Sequence, residues 1–315
     1  MSKFDKPKII PPQEKILEKE KQFEQYVQKG IELSLEKIKK RFENDSEEEN
    51  NLEFHNTAHT EGVVRRIELI MKVLQESNPE IVQKRDVNLA KLAASFHDVV
   101  QKWEAAQTKD GEFTKTVRRR FIGANETASS QEVVEFMEEV NKEKSLEIFS
   151  IEDKQRLIEA IDATVPGFSV EKGTVIQPNM KESSGIIAKA LALADIGTAG
   201  MEGSEAFLPE GDALFREENL DIAQALRENH ELSETQKEYF RKRMLLWTKF
   251  QANFALGRKN LLETELLGLS ENAQIKLKEL FNKFDSSIEA SRERALRREN
   301  MSFEELLSDM GYVYK

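Results

Sequence analysis

The chain has 315 residues, a formal net charge of −11 and no cysteine. Its length suffices for one large domain, or one domain with appendages, and its composition is typical of a soluble globular protein. The acidic balance argues against a protein that binds nucleic acid or an anionic membrane, and the lack of cysteine excludes disulfides, thiolate ligands and thiol nucleophiles. No segment has the roughly 18 apolar residues of a membrane span, and no apolar stretch of signal-peptide length opens the chain, so we expect a cytoplasmic protein.

The composition predicts an all-α fold, because only 14 glycines and 7 prolines stand among many Glu, Lys, Leu and Ala residues. After a loose lead-in at residues 1–12, apolar residues recur every three, four or seven positions from Glu14 to Phe42 and predict a long amphipathic helix. We interpret this helix as packed on its own domain. A partner-binding or dimerising helix is the alternative, which leaves a homo-oligomer open. An acidic, exposed loop is predicted at 44–51.

The second helix carries a histidine on its buried side. It is predicted to begin at Asn56 or Thr57, both suitable N-caps, and to end by the Asn-Pro pair at 78–79. Its buried stripe consists of residues spaced by three or four positions: His59, Val63, Ile67, Ile70 and Leu74. His59 is therefore expected to face the core.

Two later segments, residues 86–100 and 183–196, are apolar nearly all round and predict central buried helices. His97 and Asp98 fall at the C-terminal end of the first segment, and Asp195 falls at the C-terminal end of the second. A buried carboxylate is costly unless its charge is compensated, and a buried cation would compensate both.

The remaining segments give weaker signals. The polar stretch at 104–126 predicts a loop, and we interpret its run of Arg118, Arg119 and Arg120 as solvated, with contact to a phosphate group as the alternative. Residues 167–179 predict an irregular flap or a short hairpin. The other segments predict helices, near residues 127–141, 151–164, 212–229, 233–260, 271–298 and 302–309. The charged residues at 292–299 predict a solvated face.

Three of the four histidines stand in two short stretches, FHNTAH at 54–59 and AASFHDVV at 93–100. These are His55, His59 and His97, and Asp98 follows His97 directly. Imidazole and carboxylate are ligands that a borderline divalent metal takes up, so the pattern predicts a metal site. A polar cluster that is hydrogen-bonded internally, without an ion, is the alternative. The fourth histidine, His230, is expected on a surface loop.

In the order His59, His97-Asp98 and Asp195, the chain resembles the HD superfamily of metal-dependent phosphohydrolases, an all-helical fold named for its His-Asp doublet. FHNTAH is similar to the aromatic-His-Asn-x-x-His start of the family, FHDVV to its Phe-His-Asp-hydrophobic segment, and GANETASS to its Asn-Glu-x-x-Ser segment. The likeness covers about residues 52–200. It is strongest to a branch of bacterial predicted HD phosphohydrolases and weaker to cyclic-nucleotide phosphodiesterases.

The resemblance implies an HD-domain helical bundle with flanking helices at both ends. Residues 1–50 would form the lead-in and the amphipathic helix, residues 51–200 the metal-binding domain, and residues 201–315 a helical extension packed on it. Four residues would bind the metal ion: His59, His97, Asp98 and Asp195. Nitrogen and oxygen ligands suit a divalent ion such as Mn, Fe, Co, Ni or Zn better than Mg alone.

The resemblance also implies catalytic roles. His55 would lie beside the ion without binding it and would protonate the leaving oxygen, and Glu126 would orient a neighbouring group or activate water. The implied reaction is hydrolysis of a phosphate ester or nucleotide by a metal-activated water, with a small phosphorylated or nucleotide substrate and neither nucleic acid nor membrane as a partner. The alternative is a non-catalytic HD-fold scaffold that binds metal or nucleotide for regulation.

The chain departs from the family pattern at two places. Residues 165–166 are Val-Pro where a histidine is expected, and no second histidine pair lies between Asp98 and Asp195, so a binuclear six-ligand site is not indicated. Arg216 and Arg258 match positions of the family, but we interpret both as structural ion-pair residues.

Overall fold

The computed structural model describes residues 12–46, 50–228 and 232–312, with side chains from residue 18 onward. The predicted lead-in at residues 1–11, part of the acidic loop and the predicted surface position of His230 lie outside these ranges. None of the described helices is long and apolar enough to cross a membrane.

The described chain is mostly helical, as predicted, with two small antiparallel hairpins. The helices of the first half are α1 (Pro12–Phe42), α2 (Thr57–Ser77), α3 (Lys84–Phe96), α4 (Ala124–Lys144), α5 (Ile151–Asp162) and α6 (Ile186–Asp195). Those of the second half are α7 (Thr198–Met201), α8 (Ser204–Glu218), α9 (Leu220–Arg227), α10 (Glu234–Glu265), α11 (Glu271–Leu280), α12 (Phe284–Glu299) and α13 (Phe303–Asp309). The strands are β1 (Trp103–Asp110), β2 (Phe113–Arg120), β3 (Gly167–Ser169) and β4 (Thr174–Ile176).

The centre of the fold is a layer of three mutually packed helices, α2, α3 and α6. The predicted stripe of α2 is buried along its whole length, and residues 187–194 of α6 are all buried, which confirms the all-round apolar pattern. α1 packs against α3, while α5 packs against α3, α4 and α6. Because α2, α3 and α6 pack together, the N-terminal end of α2 and the C-terminal ends of α3 and α6 can share one site.

The C-terminal helices add a second apolar cluster. Its members come from α8, α9, α10 and α13 and include Phe215, Ile222, Met244 and Leu306. The long helix α10 also packs against α12, α8 and the strand β4. α10 thus links the second cluster to the region near the small hairpin β3–β4.

The stretch around residues 103–120 forms a regular β-hairpin, so its prediction as a loop was wrong. Gly111 opens the two-residue turn with φ +65°, a conformation that glycine adopts without strain. Trp103 stacks under the Arg118 guanidinium at 3.9 Å, and Phe113 stacks on Tyr239 of α10 at 4.3 Å between ring centroids. Packing of these aromatic rings stabilises a hairpin that its polar composition obscured.

The prediction of a solvated charged face at 292–299 was wrong for one stripe of α12. The Arg298 side chain is 1% exposed and makes two hydrogen bonds to the buried Asp212 carboxylate, at 2.9 and 2.7 Å. Arg294, one helical turn earlier, contacts the same carboxylate. A buried arginine of this kind needs a paired carboxylate, and the partner lies 86 positions away in the chain.

Two predicted helices are each divided in the structure. The segment 212–229 is split at Asn219, whose side-chain amide donates to the Phe215 carbonyl (2.7 Å) and accepts from Arg243 (2.5 Å). Such side-chain bonds compete with the helical backbone pattern. The segment 271–298 is split near Lys283, whose backbone N–H donates to the Gly200 carbonyl at 2.9 Å. The predicted region 167–179 contains the short hairpin β3–β4, one of its two predicted alternatives.

Removing the N-cap of α10 is expected to lower stability modestly. The Ser233 side chain accepts from the Gln236 backbone N–H in a capping box, as predicted. Ser233→Ala should lower the free energy of unfolding by about 1 kcal/mol, measured by urea denaturation. Thr235→Ala, at an exposed position in the same turn, is the control and should change it little. Equal losses in both variants would contradict a specific capping role.

Candidate metal centre and adjoining cavity

The three central helices bring the four predicted ligands to one place. His59 lies in the first turn of α2, where its backbone N–H donates to the Asn56 side chain at 3.1 Å. His97 is the C-cap of α3, Asp98 lies in the turn that follows, and Asp195 is the last residue of α6. These residues are up to 136 positions apart in the chain and lie together because α2, α3 and α6 pack on one another.

The imidazole and carboxylate groups approach one another closely. His59 Nε2 lies 3.4 Å from Asp98 Oδ2 and 3.5 Å from Asp195 Oδ1. His97 Nε2 lies 3.1 Å from the same Asp98 oxygen and 3.4 Å from the same Asp195 oxygen. Ligand atoms of His59, His97 and Asp98 all lie within 4.8 Å of one another, so this buried group could hold a metal ion. Asp195 joins it through its contacts with both imidazoles.

The hydrogen bonding of His97 fits a cation at this point. Its Nδ1 lies 2.7 Å from the Ala94 carbonyl oxygen, which assigns the proton to Nδ1. In the neutral ring, Nε2 then carries a lone pair that faces two carboxylates, and no group in this arrangement supplies a proton. The described residues give His97 Nε2 no hydrogen-bond partner of good geometry. Electron-pair donors that converge in this way are stabilised by a cation between them or by a proton on the imidazole.

The distances between the groups are compatible with an ion between them. Charge-assisted hydrogen bonds between imidazolium and carboxylate are about 2.7–2.9 Å long. The four distances here are 3.1–3.5 Å. Neighbouring ligands about 2.1 Å from one ion are about 3.0 Å apart in octahedral and about 3.4 Å apart in tetrahedral coordination. The observed spacing therefore leaves room for a divalent ion, and the internally hydrogen-bonded cluster stays the alternative.

Without an ion, the electrostatics of the group favour a proton on the imidazoles. Burial disfavours the charged form of His97, but the Asp98 charge and the Asp195 contact outweigh it and raise the pKa of His97 well above its usual range. Burial likewise disfavours ionised Asp98 and Asp195, yet the adjacent histidines hold the pKa of both carboxyl groups below the usual range. The carboxylates are thus ionised, and their charge is balanced either by protons on the imidazoles or by a bound cation.

Two glutamine amides orient the carboxylates. The Gln101 amide donates to Asp98 Oδ1 at 2.8 Å, and the Gln177 amide donates to Asp195 Oδ2 at 3.3 Å. In each aspartate, the oxygen that does not accept from a glutamine faces the histidines: Oδ2 of Asp98 and Oδ1 of Asp195. The buried Arg66 guanidinium donates to the Ala194 carbonyl at 2.6 Å and so fixes the end of α6 that carries Asp195.

We expect Gln101→Leu to weaken metal binding by about 10–100-fold, because an unsupported Asp98 carboxylate can turn away from the histidines. Competition with a fluorescent chelator would measure the affinity. Gln107→Leu, at an exposed position of β1, is the matched control and should keep the wild-type affinity. Unchanged affinity in Gln101→Leu would assign Gln101 to packing alone.

His55 lies beside this group and is held at both ring nitrogens. Its Nδ1 lies 2.5 Å from Glu217 Oε1, and its Nε2 lies 2.6 Å from Arg120 Nη1. The other Glu217 oxygen accepts the backbone N–H groups of Phe54 and His55. Burial opposes ionisation of Glu217, but the His55 charge and hydrogen bond outweigh it and lower the pKa of Glu217 to about 2. The His55 and His59 ring centroids are 6.0 Å apart.

The three consecutive arginines have different environments. Arg120 lines the cavity beside His55. Arg118 is buried and stacks over the Trp103 ring, and Arg119 is paired with Glu104 on the exposed side of the hairpin. The solvated interpretation therefore fits Arg119, while Arg120 is the member that a substrate in the cavity can reach.

Glu126 is both a helix-start carboxylate and a residue of the cavity. Its Oε2 accepts the Gly123 backbone N–H at 2.5 Å in the first turn of α4, and its side chain lines the cavity. Burial, and to a smaller extent the Asp98 charge, raises the pKa of Glu126 against the effect of its backbone hydrogen bonds. Its role as an orienting group or base stays a prediction.

A cavity of about 410 Å³ opens next to the group. His59, Asp98 and Asp195 line it together with His55 and Arg120. The remaining walls come mainly from α8, α10 and the β3–β4 hairpin. Arg216 and Arg258 are absent from these walls; they pair with Glu53 and Glu265, which confirms their interpretation as ion-pair residues.

Sequence reasoning did not find several of the residues described above. Gln101 follows Asp98 by three positions, so its proximity is a local signal that could have been used. Glu217 and Gln177 carry no such signal, because they lie in other elements, and Glu217 is 162 positions from His55.

Comparisons of the chain with protein-family models, curated proteins and solved structures found no match in any of the three.

Proposed function

We propose that this protein is a metal-dependent phosphohydrolase of the HD type that acts on a phosphate ester or nucleotide. The observation that supports it most is the convergence of two imidazoles and two carboxylates at 3.1–3.5 Å beside a cavity. The HD-like motif order of the sequence supports the same proposal. His59, His97, Asp98 and Asp195 would hold a divalent ion such as Mn, Fe, Co, Ni or Zn.

A bound divalent ion supplies water of lowered pKa and neutralises charge on a phosphoryl group. Within the chain, Arg120 is the residue that can bind a phosphoryl oxygen, since its guanidinium faces the cavity. Glu217 holds the His55 ring through Nδ1, which leaves Nε2 to face the cavity and the Arg120 side chain. When Arg120 turns to a phosphoryl oxygen, Nε2 no longer accepts from the guanidinium. It can then take up a proton from solvent and pass that proton to the leaving oxygen.

One contact favours the alternative, a non-catalytic scaffold that binds metal or nucleotide. Arg120 Nη1 lies 2.6 Å from His55 Nε2, and a ring nitrogen that accepts from a guanidinium holds no proton to donate. In a scaffold this contact would persist when ligand binds.

Turnover with defined metal content tests the proposal. We expect the protein dialysed against chelator to hydrolyse neither nitrophenyl phosphate nor bis-nitrophenyl phosphate, and the Mn²⁺-loaded protein to hydrolyse at least one of them. His59→Ala, purified and loaded in parallel, controls for a contaminating phosphatase. Stoichiometric metal without turnover on these and alkyl phosphates would favour the scaffold.

A further inference from the structure

The cavity is lined by aromatic residues as well as by charged ones. Trp247, Phe250 and Phe254 line it from α10 and are spaced three and four positions apart, so they share one face of the helix. All three are partly exposed. Phe168 of β3 and Phe207 of α8 line the same region.

The rings are held in place by contacts with one another and with the backbone. The Trp247 indole N–H donates to the Gly211 carbonyl at 2.8 Å. The Trp247 and Phe250 centroids are 5.8 Å apart, and those of Phe168 and Phe250 are 6.1 Å apart. Rings at these distances form a prepared apolar wall, which a flat apolar group can contact without reorganising the protein.

A polar group without a protein partner lies on the same wall. The Gln251 side chain is 7% exposed, lines the cavity and has no hydrogen-bond partner among the described residues. A Cβ atom at Gly211 would lie 2.6 Å from Gln251 Oε1, so the glycine leaves the space that the amide occupies. A buried amide next to apolar rings offers its NH2 group as a donor and its carbonyl oxygen as an acceptor to a ligand.

The charges of the cavity limit the ligand further. Five carboxylates line it, those of Asp98, Glu126, Asp195, Glu210 and Glu218. Among the described lining residues, Arg120 is the one lysine or arginine. The positive charges of a bound divalent ion and Arg120 can balance the charge of one anionic phosphoryl group. A second anionic group elsewhere in the ligand would face carboxylates, which repel it.

We propose that the ligand is a phosphate ester whose organic part is a flat, uncharged aromatic group, with its phosphoryl group at Arg120 and the bound ion and its ring against Trp247 and Phe250. This inference deepens the proposed function and rests on it for the phosphoryl group. The cavity volume is at the lower end of the usual range for small-molecule sites and accommodates one such ester.

Binding of phosphonates, which cannot be hydrolysed, tests the ligand class independently of catalysis. Titration calorimetry with the Mn²⁺-loaded protein would compare 2-naphthylmethylphosphonate with ethylphosphonate. We expect the naphthyl compound to bind about 10²-fold more tightly, the usual worth of burying such a ring system. A sulfonate on the naphthyl ring should reduce the affinity by about tenfold, because it meets carboxylates.

Phe250→Ala is expected to lower the affinity for naphthylmethylphosphonate by about tenfold and to leave the affinity for ethylphosphonate unchanged. Leu246→Ala, 58% exposed on the outer face of α10, is the matched control and should change neither. Equal affinity for the two phosphonates, or a preference that survives Phe250→Ala, would overturn the inference.

Hydrolysis of the matching esters separates this inference from the proposed function. Naphthylmethyl and ethyl phosphate have leaving alcohols of similar acidity, so a difference in kcat/KM reports contacts to the ring. Selective phosphonate binding without hydrolysis of either ester would refute the proposed function and retain the ligand class. Hydrolysis of both esters with equal kcat/KM, together with equal affinity for the two phosphonates, would support the proposed function and refute the ligand class.

Discussion

Asp98→Ala is expected to lose the bound divalent ion and with it all detectable phosphohydrolase turnover. Asp98 Oδ2 is the oxygen closest to both imidazoles, at 3.4 Å from His59 Nε2 and 3.1 Å from His97 Nε2. Without it, the group keeps a single carboxylate that faces the two imidazoles, Asp195, and the charge that attracts a cation is halved. Elemental analysis after gel filtration should give about one ion per chain for the wild type and a trace for the variant.

The control for this prediction is Asp285→Ala, which removes a carboxylate that is 78% exposed and should keep the ion. Thermal unfolding gives a second readout, since an ion that binds only the folded state raises Tm. Addition of Mn²⁺ should raise the Tm of the wild type and of Asp285→Ala, whereas the Tm of Asp98→Ala should not change. Equal metal content in Asp98→Ala and the wild type would refute the assigned ligands.

The helical part of the fold could be predicted because its signals are local. A capping residue and a stripe at helical spacing define α2, and an apolar sequence without a polar face defines α6. The β1–β2 hairpin could not be predicted in this way. Its strands are polar, and they are stabilised by rings that meet only in three dimensions, Phe113 on β2 and Tyr239 on α10. The burial of Arg298 depends in the same way on a distant partner, Asp212.

Only part of the candidate site could be predicted from local signals in the sequence. The four converging residues were predictable, because each stands at the end of a buried helix and their order along the chain matches a known motif. The environment of His55 was not, since Glu217 and Arg120 belong to α8 and β2 and their meeting depends on how these elements pack. The sequence therefore indicated which residues could bind an ion. The structure was needed to identify Glu217 and Arg120 as the groups that contact the two ring nitrogens of His55.

His55→Gln is expected to keep the metal ion while lowering turnover of an alkyl phosphate by about 10²–10⁴-fold, the usual contribution of a positioned acid. Glutamine is preferred to alanine here, because its amide can still donate a hydrogen bond to the buried Glu217 carboxylate, which alanine would leave without a side-chain donor at this position. The loss should be smaller for nitrophenyl phosphate, whose leaving group needs little protonation. Elemental analysis and kcat for the two esters measure these effects.

Two comparisons decide what His55 does. His59→Ala should lose metal and turnover together on every ester, since His59 is an assigned ligand. Glu217→Gln should keep the metal and show the same dependence on leaving group as His55→Gln, because Glu217 fixes the His55 ring through the Nδ1 contact and so positions its Nε2. If His55→Gln retains the metal and loses the same turnover on alkyl and nitrophenyl esters, His55 is a positioning residue for Arg120. Its Nε2 would then act through the 2.6 Å contact with Arg120 Nη1, which the scaffold alternative also uses. Loss of metal in His55→Gln would make it a ligand, because no other role of His55 requires the ion to leave with it.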